Sequence, residues 1–151
     1  MTPGDLYYLG NCRTDAQRAD MLALSAAGIC VFCPEHLSVD PDQPTLHRTA
    51  LWTVTPNEFP YAGTLRHLLL VPDEHVPDLL DLSPRAQAEF WPVLRWVRDE
   101  YGLAYYGLGA RNGDCRYTGG TVHHVHVHVI VGDPDAPEPV RLKLSSGGRP
   151  R

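Results

Sequence analysis

The run His124-Val125-His126-Val127-His128-Val129 alternates imidazole and valine, and no other stretch restricts the fold so strongly. A period of two belongs to a β-strand, with His124, His126 and His128 on one face and Val125, Val127 and Val129 on the other. One face is chemical and the other is core. A buried imidazole must find hydrogen-bond partners, so three in register call for a reason beyond packing. A single ion cannot hold all three, because His124 and His128 would lie about 13 Å apart along a strand while zinc ligands sit about 2 Å from their metal. Division of labour remains, with one imidazole poised for attack and its neighbours handling charge or protons. His123 points to the opposite face and reads as structural.

The flanking chain supplies further elements. Thr14 followed by Gln17 forms a capping-box pattern that opens a helix over 15–27, and Gly28 supplies its stop. The stretch Cys30 to Thr45 is crowded with Pro, Asp and His and reads as a loop. Residues 50–55 and 65–71 read as strands joined by a rigid, proline-framed turn over 56–61. Ser83-Pro84 is an N-cap and first-turn pair that begins a long helix to about Glu100, with Phe90, Leu94 and Val97 on one face. Pro92 inside it predicts a kink or a later start. Strands are expected over 103–110 and 122–131, paired antiparallel across a Gly- and Asn-bearing loop at 111–120, and 139–145 predicts a last edge strand. The expected organisation is one domain over 1–145 and a flexible tail over 146–151.

Composition narrows the functional classes. Net charge is −5, and the thirteen Lys and Arg residues are scattered apart from a short run at Arg141, Lys143, Arg149 and Arg151, so long nucleic acid is not an expected partner. No apolar run approaches the roughly 20 residues of a bilayer span, and the amino end lacks a signal-peptide pattern, so a cytoplasmic, membrane-free protein is expected. Cys30-Val31-Phe32-Cys33 places two thiols at a common zinc-ligand spacing. Their plainer reading is two small buried residues near a helix end. Cys12 and Cys115 receive no role.

The segment His124 to Ile130 resembles the H-φ-H-φ-H-φ-φ signature of the histidine-triad (HIT) superfamily of nucleotide hydrolases and transferases. The run His67 to His75, then Leu79 to Leu82, is similar to that family's second characteristic strand and the approach to its long helix, and Asn112 with Gly119-Gly120-Thr121 resembles its phosphate loop. The resemblance spans about Cys30 to Val131 and implies an α+β fold, an antiparallel sheet of about five strands with a long helix packed on it, commonly as a homodimer. It implies an enzyme that binds a small nucleotide and acts at its α-phosphorus. In that pattern His126 is the nucleophile and His128 contacts phosphate or assists protonation. Asn112, Gly119, Gly120 and Thr121 would bind phosphate, and Asn57 would reach the ribose. Gly120 stands where many relatives carry glutamine.

The zinc-bearing branch of the superfamily, which includes galactose-1-phosphate uridylyltransferase, looks similar in its C-x-x-C, its proline-then-histidine strand end and its first triad histidine. That likeness implies a structural Zn²⁺ held by Cys30, Cys33, His75 and His124, with His67 as the rival of His75. His128 points instead toward dinucleoside polyphosphate hydrolases and phosphorylases, because the uridylyltransferases usually carry glutamine there. Hydrolase or phosphorylase is the leading expectation. The alternatives are transfer to an acceptor other than water, or a nucleotide-binding module without useful turnover.

Overall fold

In the computed structural model, which describes residues 6–147, a five-stranded antiparallel sheet runs in the order β1-β2-β3-β5-β4. The strands are β1 His47–Arg48, β2 Trp52–Pro56, β3 Thr64–Pro72, β4 Gly107–Ala110 and β5 Val127–Gly132. The helices are α1 Asp15–Ala26, α2 Pro34–Leu37, α3 Pro84–Glu100 and α4 Cys115–Thr118. This is the expected α+β architecture. Among the described residues no helix is long and apolar enough to cross a membrane.

Alternation along β2, β3 and β5 divides the core in two. Trp52, Val54, Leu68, Leu70, Val127 and Val129 pack against Ala86, Val93, Leu94 and Val97 of α3. Trp52 Nε1 donates to Ala86 O at 2.8 Å, which ties the sheet to that helix. Leu69 and Val71 face the other way, onto Tyr7, Met21, Val31 and Phe32. The amino-terminal segment and α1 therefore cover the face that carries the histidines. Thr14 caps α1 by accepting from Gln17 N, and Gly28 leaves the helix at φ 69°, as the pattern predicts.

Several expectations need correction. Helix α3 continues through Pro92 from its Ser83 cap. Pro92 and Ala88 lie on the exposed side, so water can take up the carbonyl that the proline leaves without a donor. The strand expected over 122–131 begins only at Val127. Residues 121–125 bond elsewhere: Thr121 O accepts from Tyr8 N, His123 N donates to Leu6 O and Val125 N donates to Val76 O. Beyond Leu70, β3 pairs only with β2 and ends at Pro72, a residue with no N–H to offer a ladder. The strand expected over 103–110 likewise shrinks to β4.

No strand forms over 139–145. The segment crosses β4 as a strap with Leu142 over Gly109, and its Lys143 carbonyl accepts from a side chain, Arg111 Nε, at 2.7 Å. Residues 30–45 and 111–120 hold the short helices α2 and α4 where loops alone were expected. Of the tail expected from residue 146, positions 148–151 lie outside the described residues. Ser146 itself is held: its hydroxyl accepts from Asn11 Nδ2 at 3.0 Å and donates to Cys115 O at 3.1 Å.

Candidate functional site

The histidine face opens into a cavity of about 880 Å³ whose walls include Phe32, Asn57, Tyr61, Arg111, His126 and His128. His126 Nδ1 lies 2.7 Å from the carbonyl oxygen of His124. A carbonyl only accepts, so Nδ1 carries the proton and Nε2 presents a lone pair. Burial, opposed by that carbonyl bond, pushes the His126 pKa down to about 4, so the ring is neutral near pH 7. Phe32 packs on the ring at a centroid distance of 4.6 Å. Phe32 thus carries the C-x-x-C loop directly onto the His126 ring.

His67 lies in this chain of imidazoles and away from the cysteines. Tyr61 N donates to His67 Nδ1 at 3.1 Å, and His67 Nε2 lies 2.8 Å from His128 Nδ1. A backbone N–H can only donate, so neutral His67 holds its proton on Nε2 and gives it to His128 Nδ1. His128 therefore holds its own proton on Nε2. Burial depresses both rings, with Arg13 and then His126 assisting at His67, which is brought to about 4, and His126 then His67 assisting at His128. The outer end of the relay, His128 Nε2, stands 3.4 Å from Arg111 Nη1. Arg111 Nη2 donates to Tyr61 Oη at 3.1 Å, and the Arg13 guanidinium lies 4.4 Å over the Tyr61 ring while bonding Phe59 O.

The phosphate-loop residues divide. Thr121 and Gly119 line the cavity, but Gly120 is not among its lining residues. Gly119 N already meets Ser146 Oγ at 3.3 Å, and Gly120 N meets Thr118 Oγ1 at 3.4 Å. Gly119 sits at φ 84°, where an added Cβ would stand 2.9 Å from Ser145 O, so the strap needs glycine there. Asn112 is exposed and outside the cavity wall, with its Oδ1 accepting from Leu79 N at 2.8 Å. The neighbouring Arg111 takes the inward position. Asn57 reaches the cavity, but its Oδ1 accepts from Phe59 N at 2.9 Å and its Nδ2 lies 3.1 Å from His67 Nε2.

Cys30, Cys33, His75 and His124 meet at a second centre, with one donor atom from each inside 4.8 Å of the others. His124 Nε2 is 2.7 Å from Pro72 O, which places its proton there and leaves Nδ1 free for the cluster. The spacings are 3.2 Å from His75 Nδ1 to His124 Nδ1, 3.3 Å from Cys33 Sγ to His75 Nδ1, and 3.5 and 3.7 Å from the two sulfurs to His124 Nδ1. A tetrahedral zinc about 2.0 Å from nitrogen and about 2.3 Å from sulfur sets edges of about 3.3 Å and about 3.5 Å between such donors. The donor set therefore fits the ion in both chemistry and size. Burial, then the adjacent Cys30, push the Cys33 thiol up to about 12, and a divalent cation reverses this by favouring thiolates.

The HIT domain family matches residues 48–135, and the chain belongs to that family. Among solved structures, it is similar to a HIT family hydrolase from Clostridium thermocellum at 22% identity, covering 72% of this chain and 95% of that one with a TM-score of 0.57. It is also similar to a histidine triad nucleotide-binding protein from Candida albicans (22% identity, 81% and 83% of the two chains, TM-score 0.58). A Zn-bound histidine triad family protein from Mycobacterium smegmatis matches at 20% identity over 76% of this chain and 81% of that one, with a TM-score of 0.54. Likeness at these identities speaks for the fold. Comparison with curated protein sequences finds no match.

Sequence reasoning missed His67 as a relay, and Tyr61, Arg13 and Arg111 altogether. Arg111 carried one usable signal, a cation beside Asn112 in the loop that leads to the histidines.

Proposed function

We propose that this protein is a nucleotide hydrolase or phosphorylase that acts at the α-phosphorus of a nucleoside phosphate, phosphoramidate or dinucleoside polyphosphate through a nucleotidyl-His126 intermediate. The observation that carries this reading is the 2.7 Å contact from His126 Nδ1 to His124 O, which aims an unprotonated Nε2 into the cavity. Nε2 attacks phosphorus, the leaving group departs, and water or phosphate then cleaves the phosphorus–nitrogen bond. His128 and Thr121 bind phosphoryl oxygens as charge builds on them. Asn57 reaches the sugar through its Nδ2, since its oxygen is engaged, and Gly119 and Gly120 shape the loop. The nucleotide-binding and hydrolase descriptions of the Candida and Clostridium relatives agree with this reading.

Zinc at Cys30, Cys33, His75 and His124 would be structural, clamping the C-x-x-C loop to the segment that carries His126. This ligand set also favours a second reading, transfer of the nucleotidyl group to an acceptor other than water, as the resemblance to the uridylyltransferase branch implies. A homodimer is supported by β4, an edge strand with exposed Leu108.

The decisive experiment quenches the protein during turnover on adenosine and guanosine substrates and locates any nucleotidyl adduct by mass spectrometry. The adduct is expected on His126, and His126→Ala should lower turnover by several orders of magnitude while leaving metal content unchanged. Near-normal turnover in that variant refutes the assignment.

A further inference from the structure

His128 Nε2–H and Arg111 Nη1 are both donors, and they face one another across 3.4 Å. Two donors so placed can both donate to one acceptor lying between them. The rest of the Arg111 guanidinium is held by neutral groups, Lys143 O and Tyr61 Oη. The Arg13 guanidinium lies on the face of the same Tyr61. Among the described residues neither arginine forms an ion pair. Glu58, Asp133, Asp135 and Glu138 also line the cavity, but none comes within ion-pair distance of Arg13 or Arg111. Two uncompensated cations beside a donating imidazole suit a multiply charged oxyanion.

The chemistry of departure says which anion. When His126 Nε2 bonds to the α-phosphorus, the bond to the leaving group breaks and its electron pair goes with that group. An amine leaving from a phosphoramidate needs a proton. A guanidinium releases none, and a neutral imidazole N–H is a poor acid. A phosphoryl oxygen leaving from an anhydride needs no proton, only stabilisation of its negative charge, which Arg111 and His128 can supply together. Water then attacks the α-phosphorus, restores the lone pair of His126 and releases a nucleoside monophosphate and a proton.

We propose that Arg111, with Arg13 at its outer side, binds the departing phosphoryl group, so that the substrate class is a nucleoside phosphoanhydride and not a phosphoramidate. The proposal rests on His126 acting at the α-phosphorus, so its test includes a measurement that needs no turnover. By calorimetry the wild-type protein should bind ADP or GDP roughly tenfold or more tighter than the matching monophosphate, and Arg111→Gln should erase that difference. In kinetics, Arg111→Gln should lower kcat/KM roughly 100-fold on an anhydride, well beyond its effect on a phosphoramidate of the same nucleoside, with partial recovery in Arg111→Lys. Arg13→Gln, an exposed change, should shift both readouts in the same direction by a smaller factor. Equal affinity of the wild type for mono- and diphosphate, or equal kinetic losses on both substrates, overturns the proposal. A diphosphate preference that vanishes in Arg111→Gln, in a protein with no turnover on any substrate, upholds the subsite and refutes the hydrolase reading.

Discussion

Replacing His67 by phenylalanine keeps a ring in the space that His67 fills and removes both of its nitrogens, so it tests the relay without opening a cavity. Two buried groups lose their partners: Tyr61 N–H, which now donates to His67 Nδ1 at 3.1 Å, and His128 Nδ1, which now accepts from His67 Nε2 at 2.8 Å. Each orphaned group costs about 1–3 kcal/mol, and the middle of the summed range is about 4 kcal/mol. Relaxation toward the open cavity recovers part of this, which leaves about 3 kcal/mol and a fall in Tm of about 6–12 °C for a chain of this size. Denaturant unfolding with an unchanged m-value measures the loss. Nitrogen-15 spectra of the imidazoles supply the second readout: His128 should be the Nε2–H tautomer in the wild type and a mixture in His67→Phe. A loss below about 1 kcal/mol, or an unaltered His128 tautomer, shows that His67 does not set the proton on His128.

Two more tests address the second centre and Glu58 in the cavity wall. Cys33→Ser should lower bound zinc below one per chain and lower Tm with it; full metal content measured by plasma emission, or an unchanged melt, removes Cys33 from the ligand set. Burial, then Asp40, Asp42 and Asp20, raise the Glu58 carboxyl from its ordinary 4.5 to about 7. The fold therefore favours protonated Glu58, a contribution fully present below about pH 4.5 and lost as pH rises through about 7. Glu58→Gln should accordingly gain stability relative to wild type between pH 5 and 8 in paired melts, and a constant difference across that range contradicts the shift.

Local signals in the sequence were read well where the physics is local. Ser83-Pro84 announced α3, Gly28 announced the end of α1, and the imidazole–valine alternation announced the face bearing His126 and His128. The metal cluster needed distant partners, and resemblance supplied them where spacing could offer only Cys30 and Cys33. The late start of β5 was hidden because it depends on where β3 stops, at Pro72, which lies 55 positions before Val127. His67 lies mid-strand, where the sequence lets its ring face either the core or the site, and only the register opposite β5 shows that it meets His128. Arg111 and Asn112 are adjacent in a loop, where no periodicity tells which side chain turns inward.

The ring of His124 is gripped at both ends, by the carbonyl of Pro72 on one nitrogen and by the thiol cluster on the other, while its own carbonyl steers His126. A lineage that lost the two cysteines would forfeit one grip and keep the other, because the Pro72 tether asks nothing of the metal. Descent could therefore discard the cluster stepwise and preserve the hold on His126, whereas a cysteine substituted at 124 could still bind a metal but would release the backbone. A metal ion at this cluster would be replaceable over evolutionary time in a way that the imidazole at 124 is not.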